Sequence, residues 1–231
     1  TISFVGRLIK IKGINDFVAA AKILIKKGVK AKFILAGDLD PENPSSLIPE
    51  DLSNLKKEAI VKILGYQNDM PKLFEKSHIV CLPSYREGLP KALAEAAAAS
   101  RAIVTTDVPG CRDAIIPNKT GLLVPINNPK KLADALQRLI ENREERIQMG
   151  RAGRELAKNK FDINPEDTIC IVRGSVARRD AYLDLISQLE KVGISVVNSR
   201  QTISICADKY RSALRFADTG VPTPKTALVQ S

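Results

Sequence analysis

From Thr1 to about Asp162, short apolar runs alternate with stretches whose apolar residues recur at helical spacing. The runs Ile2–Val5, Ala31–Ala36, Val61–Leu64, Ile79–Leu82, Ala102–Thr105 and Gly121–Val124 predict strands. The stretches Gly13–Lys27, Asp69–Glu75, Pro90–Ala99 and Lys130–Glu141 predict helices. Strands that are apolar on both faces and separated by helices imply a parallel sheet covered on both sides. The expected fold class is α/β, a doubly wound parallel Rossmann-like sheet, with ligands at the carboxyl ends of its strands.

The pattern changes after Phe161. Residues 162–167 are polar and include Pro165, which marks a connection. Beyond it the pattern predicts a strand at Thr168–Val172, a helix at Asp180–Lys191 ended by Gly193, and a strand at Ser195–Val197. A helix at Asp208–Thr219 and a short strand at Thr226–Val229 follow. The expected division is therefore residues 1–162 and 163–231, the second a partial α/β segment with too few strands to close a sheet. The chain opens inside a strand without an initiator Met, and we expect a truncated N-terminus.

Composition narrows the core and the partners. Hydrophobic residues are 44% and charged residues 27%, values of a globular chain. Aromatics are 4% and Trp is absent, which predicts an aliphatic core. The net charge of +10 favours anionic partners. Most of the excess lies in the first part, where 27 Lys and Arg face 19 Asp and Glu. Runs such as Lys22–Lys32 read first as solvated helix faces. No basic stripe carries interleaved aromatics, so no nucleic-acid partner is expected. The four cysteines, Cys81, Cys111, Cys170 and Cys206, lack metal or redox spacing, and His78 is the single histidine, so no zinc site is expected. Reduced, inert thiols point to a cytoplasmic location.

Two loops carry candidate chemistry. Ser84-Tyr85-Arg86-Glu87-Gly88-Leu89-Pro90 follows a buried strand and opens a helix, with Pro90 suited to its first turn. Free amides and the helix dipole there favour an anion, and Gly88 would let the backbone approach it closely. Glu87 and Glu95 are eight residues apart. They read either as dipole-complementing helix charges or as acceptors for sugar hydroxyls. Gly6-Arg7-Leu8-Ile9-Lys10-Ile11-Lys12-Gly13 likewise joins a strand to a helix. Its Arg7 and Lys12 read either as solvated loop cations or as the opposite wall of a diphosphate site.

Five ordered stretches carry a resemblance. They are Phe4-Val5-Gly6-Arg7-Leu8 through Lys12-Gly13, then Leu82-Pro83-Ser84, then Glu87-Gly88-Leu89-Pro90 to Glu95-Ala96. Asp107-Val108-Pro109-Gly110-Cys111-Arg112 and Thr120-Gly121-Leu122-Leu123-Val124-Pro125 complete the order, and Met149-Gly150 to Phe161 closes the span. Residues 1 to about 162 resemble the C-terminal donor-binding domain of family 4 retaining glycosyltransferases of the GT-B fold, of the type that builds polysaccharides or lipid-linked oligosaccharides. The resemblance implies hexosyl transfer from a nucleotide-diphosphate sugar, UDP being the nucleotide this type points to. It implies that Arg7 and Lys12 hold the diphosphate and steady the leaving group, that Glu87 meets the transferred sugar, and that Glu95 meets the ribose. It places Gly6, Gly88, Leu89 and Pro90 against the donor, the amides of Gly88 and Leu89 touching phosphate or sugar. No cofactor or metal is implied. The implied partners are the donor, an N-terminal acceptor domain outside this chain, and a lipid-linked acceptor at the inner face of a membrane. Ser100 and Ala102 stand where that family usually has Gly and Pro, and its C-terminal crossing helix is not evident.

The tail resembles something else. Arg173-Gly174-Ser175, Val197-Asn198-Ser199, Asp208-Lys209 and Gly220-Val221-Pro222-Thr223-Pro224 are similar in order to the entry region of ATP-grasp ligases of the glutamate-ligase type. That resemblance implies Lys209 on ATP phosphates, with ATP and magnesium bound only in a completed ligase. The alternative for Lys209 is a solvated side chain behind Asp208 as a helix cap. Three functional classes follow: a donor-binding glycosyltransferase domain with an appended segment, an ATP-dependent carboxylate–amine ligase fragment, and a non-catalytic chimera.

Overall fold

The computed structural model describes residues 1–160 together with 169–171, 187–188, 191, 193 and 195–197. The chain divides into two compact units, Thr1–Asp162 and Ile163–Ser231.

In the first unit, six strands form one sheet: β1 (Ile2–Val5), β2 (Phe33–Ala36), β3 (Lys62–Gly65), β4 (Ile79–Leu82), β5 (Ala102–Thr106) and β6 (Gly121–Val124). Their spatial order is β3-β2-β1-β4-β5-β6, and every pairing is parallel. The order reverses between β1 and β4, which are neighbours although far apart in sequence. That reversal opens a crevice at the carboxyl ends of the two strands, the place where such sheets bind ligands. Burial follows the order. Every residue of β1, β4 and β5 is buried, whereas the edge strand β3 has none.

The helices are α1 (Ile14–Lys26), α2 (Pro49–Glu58), α3 (Met70–Lys76), α4 (Lys91–Ala98), α5 (Pro109–Asp113), α6 (Pro129–Glu141) and α7 (Arg143–Lys160). Leu132, Leu136 and Leu139 form the buried stripe of α6, and the Asn128 side chain caps it by accepting from the Lys131 amide at 3.0 Å. Asp69 caps α3 in the same way through the Lys72 amide. Helix α1 packs with α6, and α4 packs with α7.

Four predicted helices form with no end shifted by more than one residue. Three more escape the hydrophobic pattern. Helix α2 has no buried residue, so it carries no apolar stripe to read. Helix α5 is only five residues long. Helix α7 looks broken by glycines, but Gly150 and Gly153 lie on its packing face with Met149 and Ala157. A β-carbon on Gly150 would lie 2.2 Å from the Ser100 carbonyl oxygen, so only glycine lets the helix close on that turn.

The core is largely aliphatic, as expected, but the few aromatics gather in it. Phe4, Phe17 and Phe74 are among its largest buried side chains. Phe17 lies between Phe4 and Phe33, with centroids 5.8 and 6.0 Å away, contacts worth about 0.5–1.5 kcal/mol each beyond their burial. Cys81 and Cys111 are free and buried, and burial pushes both thiols up, away from reactivity.

In the second unit, β7 (Ile169–Ile171) pairs in parallel with β8 (Ser195–Val197), within the two predicted strands that open the tail. Ser187, Gln188 and Lys191, in the predicted helix between them, are helical. Lys209, Asn198, the Arg173-Gly174-Ser175 stretch, the helix at 208–219 and the strand at 226–229 lie outside the described residues.

Ser100 adopts φ +58 in the turn between α4 and β5, a left-handed conformation that costs a non-glycine residue about 1–2 kcal/mol. Glycine removes that strain and gives back part of the gain through its freer unfolded chain. Ser100→Gly is expected to stabilise the protein by about 0.5–1 kcal/mol, read as a rise of about 1–4 °C in the melting midpoint.

Candidate active site

Two loops meet at the crevice, one leaving β1 and one leaving β4. The first turns through a 3-10 segment at Lys10–Lys12 and enters α1 after Gly13, which holds φ +76. A β-carbon on Gly13 would fall 1.9 Å from the Pro83 carbonyl oxygen, so the loops touch backbone to backbone. The Tyr85 amide donates to the Ile11 carbonyl at 2.9 Å, and the Ser84 hydroxyl donates to the same oxygen at 3.1 Å. From the far side the Thr106 hydroxyl donates to the Ser84 carbonyl.

This closure brings Lys12 and Glu87 together. Their Nζ and Oε1 atoms are 2.5 Å apart, with only 17% and 8% of the side chains exposed. A charge-assisted hydrogen bond so poorly hydrated is far stronger than a surface pair. Arg7 leaves the same loop in another direction, is 61% exposed, and pairs with Asp40 from the loop after β2. Arg7 and Lys12 therefore lie in one loop but on different carboxylates. The carboxylate of Asp40 carried no signal in the sequence pattern.

Glu95 stands apart from Glu87. It lies on α4, 3.3 Å from Lys91 Nζ, and is the one charged side chain lining a cavity of about 300 Å³ between α3 and α4. Met70, Pro71, Phe74, Ala98 and Ala99 form the remaining lining. Apolar walls around one carboxylate suit an amphipathic guest with a flat apolar part and hydroxyl groups.

The turn between the two glutamates differs from expectation only where the helix starts. Helix α4 begins at Lys91, with Pro90 as its N-cap. A β-carbon on Gly88 would meet nothing, so close approach within the protein is not what requires glycine there. The tight position is Gly110, whose β-carbon would overlap the Gly88 carbonyl oxygen. Gly88 and Leu89 are exposed, as is Gly6 in part, and Arg112 pairs with Asp107 at 3.3 Å beside this turn. Among the described residues, no group of three His, Cys, Asp or Glu side chains is placed to hold a metal ion, and no helix is long and apolar enough to cross a membrane.

Residues 1–156 match the family of glycosyl transferases group 1. The chain belongs to this family. It is 30% identical over 160 residues to the capsular polysaccharide biosynthesis glycosyltransferase CapM of Staphylococcus aureus, covering 69% of this chain and 42% of that protein. It is 33% identical over 190 residues to the N,N'-diacetylbacillosaminyl-diphospho-undecaprenol alpha-1,3-N-acetylgalactosaminyltransferase of Campylobacter jejuni, covering 82% and 45% respectively. The chain thus spans less than half the length of these curated relatives. Among solved structures, the C-terminal domain of the group 1 protein LpcC from Francisella tularensis superposes with a TM-score of 0.62 at 25% identity, over 71% of this chain and 86% of that domain. Anabaena HepE, solved in complex with UDP, shares the fold with a TM-score of 0.61 at 22% identity, over 70% and 44% of the two chains. The six-stranded parallel sheet is therefore the Rossmann-like layer of a GT-B glycosyltransferase.

The Lys12–Glu87 pair bears on stability as well as on the site. Glu87→Gln leaves a poorly hydrated ammonium facing a neutral amide. It is expected to destabilise the fold by about 1–2 kcal/mol, with the denaturant midpoint lowered and the slope of the transition unchanged.

Proposed function

We propose that the first unit binds the donor of a retaining glycosyltransferase that moves a hexosyl group from a nucleotide-diphosphate sugar, UDP-linked, onto a growing polysaccharide or glycolipid. The observation that carries this reading is the meeting of Lys12 and Glu87 at the topological switch point, one from each loop. A diphosphate entering the crevice takes Lys12 from Glu87 and Arg7 from Asp40. The freed Glu87 then accepts hydrogen bonds from the sugar hydroxyls. The cavity beside Glu95 supplies apolar walls for the base and a carboxylate for the ribose. Amides of Gly88 and Leu89, next to Pro90 at the head of α4, and the backbone at Gly6 line the rest.

In the transfer, the bond from the anomeric carbon to the diphosphate oxygen breaks. The acceptor hydroxyl forms the new bond on the same face, and its proton passes to the departing phosphate. Arg7 and Lys12 offset the charge that builds on that leaving group, which is where electrostatic stabilisation contributes most. The acceptor site falls to an N-terminal domain that completes the cleft. The relatives named for diphospho-undecaprenol substrates support a lipid-linked acceptor, reached at the inner face of a membrane.

Calorimetry with UDP, GDP and ATP tests the donor reading. UDP or GDP is expected to bind, with affinity falling at least about tenfold in Arg7→Ala and in Glu95→Ala, the loss of one charge-assisted contact. Absence of nucleotide binding, or binding indifferent to both substitutions, overturns it. ATP binding abolished only by Lys209→Ala would favour the ligase reading instead. The alignment with the Campylobacter relative is longer than the first unit, which favours the glycosyltransferase.

Sugar transfer by the chain alone is expected to be undetectable in a nucleotide-release assay until a matching acceptor domain is added. Steady turnover without one would show that no second domain is needed.

A further inference from the structure

A third loop grips the segment that carries Lys12. It leaves β2 and runs from Asp38 to Leu47 along the loop that leaves β1. The Leu8 amide donates to the Asp38 carbonyl at 2.7 Å, and the Leu8 carbonyl accepts the Leu47 amide at 2.9 Å. Ile9 and Ser46 form an antiparallel bridge. The Lys10 amide donates to the Ser45 carbonyl at 2.6 Å, and the Ile11 amide donates to the Ser45 hydroxyl oxygen at 3.2 Å. Ser45 thus takes two consecutive amides just ahead of Lys12.

The third loop is itself built around one side chain. Asn43 Oδ1 accepts the Ser45 amide at 2.9 Å, and the Asn43 backbone joins the Asp40 carbonyl and the Ser46 amide, both at 2.8 Å. The Ser46 hydroxyl oxygen accepts the Asp40 amide at 3.1 Å. Asp40, fixed in this way, holds Arg7. One loop therefore reaches both cations of the candidate site, Arg7 through a carboxylate and Lys12 through the backbone before it. Core packing does not account for this. Leu47 is the one buried residue of the loop, and α2, to which the loop leads, has none.

Ile11 is the point of control. Tyr85 and Ser84, from the loop after β4, hold its carbonyl, and Ser45, from the loop after β2, holds its amide. A residue held from both sides has little freedom to turn, and Lys12 is the next along the chain. The Lys12 ammonium meets Glu87 at 2.5 Å in a poorly hydrated place, where geometry sets the strength of the contact.

We propose that Ser45 is a positioning residue of the donor site: by holding the amides of Lys10 and Ile11 it sets Lys12 for the leaving diphosphate. The inference rests on the donor reading above and concerns the diphosphate half of the donor only.

Ser45→Ala removes the acceptor of the Ile11 amide and leaves the Ser45 carbonyl in place. Dissociation constants are measured by calorimetry for the nucleoside diphosphate that binds, UDP or GDP, and for its monophosphate, the weaker constant by displacement. Amide hydrogen exchange is followed over residues 9–13. In Ser45→Ala the diphosphate constant is expected to rise about fivefold, the scale of one hydrogen bond, while that of the monophosphate stays within about twofold. Exchange over 9–13 speeds up. Asn43→Ala, which frees the Ser45 amide, shifts both readings in the same direction, and it replaces Ser45→Ala if that variant melts below the assay temperature. A merely structural Ser45 gives a different result, with diphosphate and monophosphate weakened in the same proportion. That outcome overturns the proposal, and so does an unchanged diphosphate constant or unchanged exchange. If the unsubstituted chain binds neither UDP nor GDP, the donor reading falls and the proposal with it. If it binds one of them and the variant shows no loss confined to the diphosphate, only the proposal falls.

Discussion

The carbonyl of Ile11 receives two hydrogen bonds from the loop after β4, and Gly13 beside it leaves no space for a side chain against Pro83. Through this contact the two halves of the sheet, wound in opposite directions, meet as backbone rather than as side chains. Backbone contact fixes the separation of the loops to within a hydrogen-bond length. Lys12 and Glu87 can then be partners although 75 residues separate them in sequence. Loosened by one β-carbon, the contact would move both side chains of the crevice together with the register of the loops.

The rest of the first unit supports that contact. Buried β1 and β4 hold the loop bases. The Thr106 hydroxyl at the end of β5 reaches the Ser84 carbonyl, and α5 approaches so closely that Gly110 must lack a side chain. Helix α7 closes on α4 through Gly150 and Gly153, and Arg154 on α7 donates to the Ala98 carbonyl near the end of α4 at 3.0 Å. The helix that carries Glu95 is thus clamped from behind while its pocket side stays open.

The six strands were legible because each is an apolar run bounded by turn residues, and the central ones are buried on both faces. Helix α2 was not, since Leu52 and Leu55 are its only large apolar residues and neither is fully buried. Helix α7 was not, because two of the four buried residues on its contact face are glycines, which pattern reading treats as breaks. In the site, the two strand-to-helix loops that carry Lys12 and Glu87 marked their shared location, but Arg7 turned to Asp40, a pairing across 33 residues that no local pattern records. Gly110, which packs behind the turn against the Gly88 carbonyl, gave no sign of its tightness in the local pattern, because tightness is set by what packs behind a loop.

Around the crevice four cations hold carboxylates of the protein itself: Arg7 with Asp40, Lys12 with Glu87, Lys91 with Glu95, and Arg112 with Asp107. Such a site behaves as an exchanger in its internal-salt form. An incoming anion gains only the difference between two pairings, and it strands the carboxylates it displaces. Inorganic pyrophosphate can take the cations but offers nothing to those carboxylates. On the proposed donor reading, a sugar nucleotide brings phosphate for the cations and hydroxyls for the acids in one molecule, and discrimination rests on the completeness of the swap.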